Sequence, residues 1–131
     1  MSITPKVDMI GLTVADIPRS LAFYRLLGLE VDDPTDEQPY VETTLAGGIR
    51  LSWNAEALMK TLHPDWQDPR GQRINLAFHC ETAAGVDAVY AAIVEAGHTG
   101  IKPPWDAFWG QRYALVADPD GNTVDLFAPL G

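Results

Sequence analysis

The sequence predicts an α+β domain assembled from two β-α-β-β-β halves, and three observations predict it. A run of β-branched and large apolar residues, Val7 to Val14, leads directly into a stripe of helical period, and Arg73 to Cys80 leads into a second. Each stripe opens on a capping residue, Asp16 or Thr82, and stops at a glycine, Gly28 or Gly97. Each half then closes on two strand-like runs joined by turn chemistry, Ala46-Gly47-Gly48 in the first and Asp118-Pro119-Asp120-Gly121-Asn122 in the second. The repeat, of roughly 60 to 70 residues, is one of pattern and hardly of identity, so it means duplicated architecture and not a solenoid. Either half alone leaves one face of a small sheet uncovered, so the two must pack together and can enclose a cleft.

Taken in order, Val7–Val14 is the first strand. Pro18 is tolerated in the first turn of the following helix, whose stripe is Leu21, Phe23, Tyr24, Leu26 and Leu27. Leu29 to Val31 starts a short strand, and 32–39 is an acidic, proline-bearing loop. Tyr40–Leu45 and Ile49–Trp53 flank the glycine turn. Ala55 to Leu62 offers one or two helical turns, and His63 to Gly71 a long connection with an exposed-looking Trp66. The second half runs from the strand Arg73–Cys80 through a helix with Val86, Val89, Tyr90, Ile93 and Val94 on one face. It continues with a short strand at His98–Lys102 and a loop at 103–110. The closing hairpin pairs Arg112–Val116 with Thr123–Phe127. The expected organisation is one domain, 1–131, with modules 5–54 and 73–129 joined by a linker, 55–72.

Composition narrows the function classes. With 131 residues, 47% of them hydrophobic and 21% charged, the chain is long enough for one real core. No apolar run reaches bilayer length, and the start lacks an apolar stretch after a basic one, so neither a membrane anchor nor a signal peptide is expected. A single cysteine, Cys80, fits a reducing cytoplasm. A formal net charge of −9 argues against nucleic acid or an anionic membrane as partner and favours a cationic ligand.

The closing hairpin holds the first site candidate. Alternation along Thr123–Phe127 puts Asp125 beside Phe127 on one face and Val124 with Leu126 on the other. A partly buried carboxylate needs a cation, a donor or a proton.

At Val14-Ala15-Asp16-Ile17-Pro18-Arg19-Ser20 with Phe23-Tyr24 and Leu27-Gly28, then Ala96-Gly97, Trp109-Gly110 and Asp118–Asn122, the chain resembles the vicinal oxygen chelate superfamily. That group holds glyoxalase I, extradiol dioxygenases, fosfomycin-resistance enzymes and bleomycin-resistance proteins. The resemblance covers nearly the whole chain. It implies two β-α-β-β-β modules forming a cup of curved sheet with helices outside, and a homodimer. It also implies four metal-ligand positions, a His or Gln, a Glu, a His and a Glu, which fall here on Met9, Arg50, Asn75 and Asp125. Only Asp125 is an ordinary ligand: a thioether and an amide bind divalent ions poorly, and a guanidinium brings positive charge to the ion's place. Three departures out of four, one of them cationic, argue against the family's metal site, so no metal and no cofactor are expected. If Arg50 and Asp125 both face the cup, a bidentate pair between them neutralises the carboxylate where the ion otherwise would.

Further candidates follow from alternation and composition. Ser52 and Asn54 share the face of Arg50, whereas Trp53 faces the core. Ala77 and His79 align with Asn75, and Gly11 and Thr13 with Met9, where small residues leave room for a ligand or pack tightly. Trp105, Phe108 and Trp109 crowd one loop, facing either a ligand or an interface. Tyr40 and Tyr113 can present hydroxyls or pack. A lone His79 is more often structural than catalytic, Cys80 points away from it, and solvation accounts for His63 and His98. Asp32, Asp33, Asp36 and Glu37 lack ligand spacing and read as a solvated acidic face. The expected function is metal-independent binding of an aromatic or cationic small molecule, resembling the drug-sequestering resistance proteins. The ligand set is Met9, Arg50, Ser52, Asn75, His79, Trp105, Phe108, Trp109, Tyr113, Asp125 and Phe127. The rival expectation is a lyase, isomerase or dioxygenase holding a metal through His79 with Asp125 or Glu42.

Overall fold

A computed structural model describes residues 3–35 and 38–131; Met1, Ser2, Asp36 and Glu37 lie outside them, and with them part of the acidic run. The described residues form β1 (Met9–Val14), α1 (Ile17–Arg25), β2 (Tyr40–Thr44), β3 (Arg50–Ala55) and α2 (Glu56–Leu62). They continue as β4 (Leu76–His79), α3 (Ala83–Glu95), β5 (Thr99–Asp106), β6 (Gln111–Ala117) and β7 (Thr123–Pro129). The fold is the expected α+β arrangement, two modules of β-α-β-β-β type with mixed sheets, the first module having one strand fewer than the second. The first sheet has the order β1-β3-β2 and the second β4-β7-β6-β5. In each, the strand before the long helix lies parallel to the last strand of its module, while the remaining neighbours are antiparallel.

The helices end where their caps dictate. The Asp16 carboxylate accepts the Arg19 N–H at 3.1 Å, and the Thr82 hydroxyl accepts that of Gly85 at 3.0 Å. Past α1, Gly28 takes a φ of +89°, which stops the helix in a conformation only glycine adopts cheaply. Leu21, Phe23 and Tyr24 from α1, Val86 and Ile93 from α3, and Leu51, Trp53, Val116, Val124 and Leu126 from the strands form one core. Trp53 is fully buried there.

Three local readings differ from the sequence. Leu29–Val31 forms no strand, because its carbonyls are taken by side chains: the Thr43 hydroxyl donates to Glu30 O at 2.6 Å and the Arg25 guanidinium to Val31 O at 2.6 Å. The first sheet therefore has three strands. Residues 103–106 are not a loop but the end of β5, whose register with β6 shifts between Gly100 and Lys102 and again between Lys102 and Trp105. Those irregularities let Pro103 and Pro104 ride an edge strand, where a missing N–H costs least. Trp66 is half-buried, and its indole N–H has no partner among the described residues.

The two modules are tied by the turn between β6 and β7. Buried Asp118 accepts the N–H groups of Asp120 and Asn122 on Oδ1, and the Asn122 amide and the Tyr24 hydroxyl, at 2.7 Å, on Oδ2. Asp120 in turn accepts the Ala15 N–H at 2.9 Å. Between the free edges of β1 and β4 lies a cavity of about 250 Å³ lined by Ile10, Leu12, Tyr24, Trp66, Leu76 and Val124 among others. No helix of the described residues is long and apolar enough to cross a membrane.

Candidate functional site

Strand alternation gives each sheet one face toward the helices and one away from them. On the second sheet, register places two rows side by side on the face turned away. One row is Trp105–Tyr113–Phe127–His79, the other Lys102–Leu115–Asp125–Ala77. The first row is a continuous aromatic surface. Trp105 meets Tyr113 at 5.6 Å, Tyr113 stacks on Phe127 at 6.3 Å, and Phe127 meets His79 at 5.2 Å. Trp109 leans in from the turn at 5.3 Å from Tyr113, its indole N–H held by the Gln111 side chain at 2.8 Å. Phe108 contacts Trp109 but is 97% exposed at the tip of the turn.

Asp125 sits beside these rings. Its Oδ2 accepts both the Tyr113 hydroxyl at 2.5 Å and the Asn75 amide at 2.9 Å. Among the described residues no donor reaches Oδ1. Burial, followed by the hydrogen bond and charge of Asp125, pushes the Tyr113 phenol up to about 12, so Tyr113 is a fixed donor at neutral pH. His79 accepts the Glu81 N–H on Nδ1 at 3.0 Å, which assigns the ring proton of a neutral imidazole to Nε2. Glu81 takes a φ of +69° to make that contact. Cys80, half-buried below, has its thiol pushed up by burial, which suits a packed side chain and not a nucleophile.

The corresponding face of the first sheet is occupied differently. Arg50 does not pair with Asp125. Its guanidinium is clamped by Asp8 and by Glu42, the latter at 2.7 Å, because Glu42 lies on the neighbouring strand and Asp8 just ahead of β1. Ser52 is fully buried and accepts from the Asn54 amide, which also donates to Leu12 O. The space at Gly11 holds these two side chains: a β-carbon there would stand 3.1 Å from Asn54 Nδ2 and 3.2 Å from Ser52 Oγ. Tight packing is therefore the reason for that glycine. Met9 is partly exposed, with the Tyr40 hydroxyl 3.7 Å from its sulfur. His98 is packed edge-on against Phe23 at 5.1 Å rather than merely solvated.

The structure thus brings Asn75, His79, Trp105, Trp109, Tyr113, Asp125 and Phe127 together at the second sheet, whereas Met9, Arg50 and Ser52 lie on the first sheet, each with partners of its own: Tyr40 for Met9, Asp8 and Glu42 for Arg50, and Asn54 for Ser52. The four family metal positions do not fit a divalent ion. Met9 offers a thioether, the Asn75 amide is spent on Asp125, and Arg50 consumes the nearest carboxylates. Among the described residues no three His, Cys, Asp or Glu side chains are grouped to hold a metal ion. Sequence reasoning missed Lys102, whose ammonium lies 3.9 Å from the centre of the Trp105 ring. Its signal was hidden because the register shifts of β5 put Lys102 and Trp105 on one face at a spacing alternation does not predict.

Known proteins share this architecture. The model of the Glyoxalase/Bleomycin resistance protein/Dioxygenase superfamily matches residues 6–126. A glyoxalase/bleomycin resistance protein/dioxygenase family enzyme from Burkholderia phytofirmans PsJN superposes with a TM-score of 0.82 at 22% identity, over 96% of this chain and 100% of that one. A glyoxalase-related enzyme from Fulvimarina pelagi does so with a TM-score of 0.82 at 21% identity, over 95% and 88%. Among curated sequences, the uncharacterized protein Mb0911c of Mycobacterium bovis is 39% identical over 49 residues, which is 37% of this chain and 32% of that protein. With a family model spanning nearly its whole length, the chain belongs to the Glyoxalase/Bleomycin resistance protein/Dioxygenase superfamily.

Proposed function

We propose that the chain is a metal-independent binding protein for an aromatic or cationic small molecule, conferring resistance to an antibiotic or other natural product by sequestering it unchanged. The observation that carries this reading is the aromatic row Trp105–Tyr113–Phe127–His79, lying alongside a carboxylate whose Oδ1 has no donor among the described residues. Flat rings stack on such a row, and a basic nitrogen at Asp125 gains a charge-assisted hydrogen bond on a carboxylate already oriented by Tyr113 and Asn75. A net charge of −9 draws cations toward it. Phe108 and Trp109, exposed at the rim, close over the ligand or meet a second copy in a homodimer. The lone, half-buried Cys80 suits a cytoplasmic setting.

The test is a tryptophan-fluorescence and thermal-shift screen with bleomycin-like, mitomycin-like and polycyclic aromatic compounds, followed by recovery of the ligand. Saturable binding with the compound returned intact is expected. Asp125→Asn should weaken a cationic ligand about tenfold to a hundredfold, the worth of one hydrogen bond to a charged group, roughly 1.5–3 kcal/mol. Conversion of the compound during incubation would overturn sequestration, as would silence across every class.

A further inference from the structure

We propose that the ligand of this face is a flat dipolar molecule, with a basic nitrogen set on Asp125 and an anionic group at its opposite end set on Lys102. The inference rests on the binding reading above and gives it a charge pattern. Lys102, Leu115 and Asp125 are successive partners across β5, β6 and β7, so the two charges stand two strand steps apart, about 10 Å between backbones. Apolar Leu115 floors the interval, and Trp105, Tyr113 and Phe127 run alongside it. The two ends differ in what they still lack. Asp125 accepts two hydrogen bonds on Oδ2 and, among the described residues, none on Oδ1.

Lys102 is exposed and, among the described residues, has no carboxylate within ion-pair distance; its contact is the face of Trp105. The other cation on the faces turned from the helices, Arg50, is satisfied by Asp8 and Glu42 and is not open to a ligand anion in the same way. A ligand carrying positive charge alone would have to reach Trp105 against the Lys102 ammonium. A molecule with an acid at that end turns the same ammonium into an anchor.

The experiment titrates four probes on one scaffold against the intrinsic tryptophan fluorescence: neutral naphthylmethanol, cationic naphthylmethylammonium, anionic naphthoate, and the 2,6-disubstituted aminomethyl-naphthoate zwitterion. The zwitterion should bind at least tenfold tighter than the neutral probe and tighter than either singly charged one. Lys102→Met, which keeps the side-chain stem, should weaken the zwitterion and the anion about tenfold and leave the cation unchanged or tighter. Asp125→Asn should weaken the zwitterion and the cation and spare the anion. Thermal midpoints matching the parent chain check that both variants are folded. If the cation binds and responds to Asp125→Asn while Lys102→Met leaves the zwitterion unaffected, the dipolar pattern is overturned and the binding reading stands. If none of the four quenches saturably, both are overturned.

Discussion

Asp118 illustrates what one side chain contributes. Buried among four donors, it accepts two backbone N–H groups of its own turn, the Asn122 amide, and the phenol of Tyr24 from the other module. Burial first, then the charge of Asp118, raises the Tyr24 phenol far above its ordinary value, so it stays a donor at every working pH. Tyr24→Phe removes a hydrogen bond to a charged group and should cost about 1.5–3 kcal/mol of stability, read from urea unfolding. Tyr113 gives a pH signature. Burial and the Asp125 carboxylate push its folded phenol up to about 12 from the ordinary 10.0, so the folded state holds the proton more tightly than the unfolded chain. That contribution is complete below pH 10 and is lost as pH rises from about 10 to about 12. The thermal midpoint should fall across that window, and less steeply in Tyr113→Phe.

At the scale of elements, caps and close approaches govern. The start of α3 depends on Thr82 as cap and on Gly85 for clearance, since a β-carbon at Gly85 would stand 2.1 Å from the Cys80 carbonyl oxygen. Backbone cannot yield there as a flexible side-chain tip can. Gly85→Ala should therefore destabilise the protein by about 1–3 kcal/mol, and Thr82→Ala by about 1 kcal/mol, both measured by thermal denaturation. These elements were legible from residue types: Asp16, Gly28, Thr82, Gly97 and the Asp118–Asn122 turn each carry a local rule. Leu29–Val31 was not legible, because Thr43 and Arg25, which take its carbonyls, come from other segments. The β5 extension through Pro103 and Pro104 was hidden for the same kind of reason: only an edge position makes two prolines tolerable in a strand.

The whole molecule behaves as two sheets sharing one core and one polar staple. Asp118→Ala leaves the Tyr24 hydroxyl, two N–H groups and the Asn122 amide without their acceptor, at a cost of at least about 3 kcal/mol. Because the staple joins α1 to the β6–β7 turn, both modules should lose stability together. Unfolding followed by far-UV circular dichroism and by fluorescence, which reports Trp53 in one sheet and Trp105 in the other, should shift to the same lower midpoint. Separate midpoints would show that the modules fold independently of Asp118.

The sequence by itself determined the fold class, the helix ends, the hairpin turn and the core side of most strands, because caps, glycines and alternation act over a few neighbouring residues. It also placed Asp125 and Phe127 on one face and marked Trp105, Trp109 and Tyr113 as candidates. Only the tertiary structure decided which charges meet. Arg50 goes to Asp8 and Glu42, Asp125 to Tyr113 and Asn75, and Lys102 to Trp105. Those pairings depend on cross-strand register and on two irregularities in β5, and register is set between distant segments, where no local pattern records it.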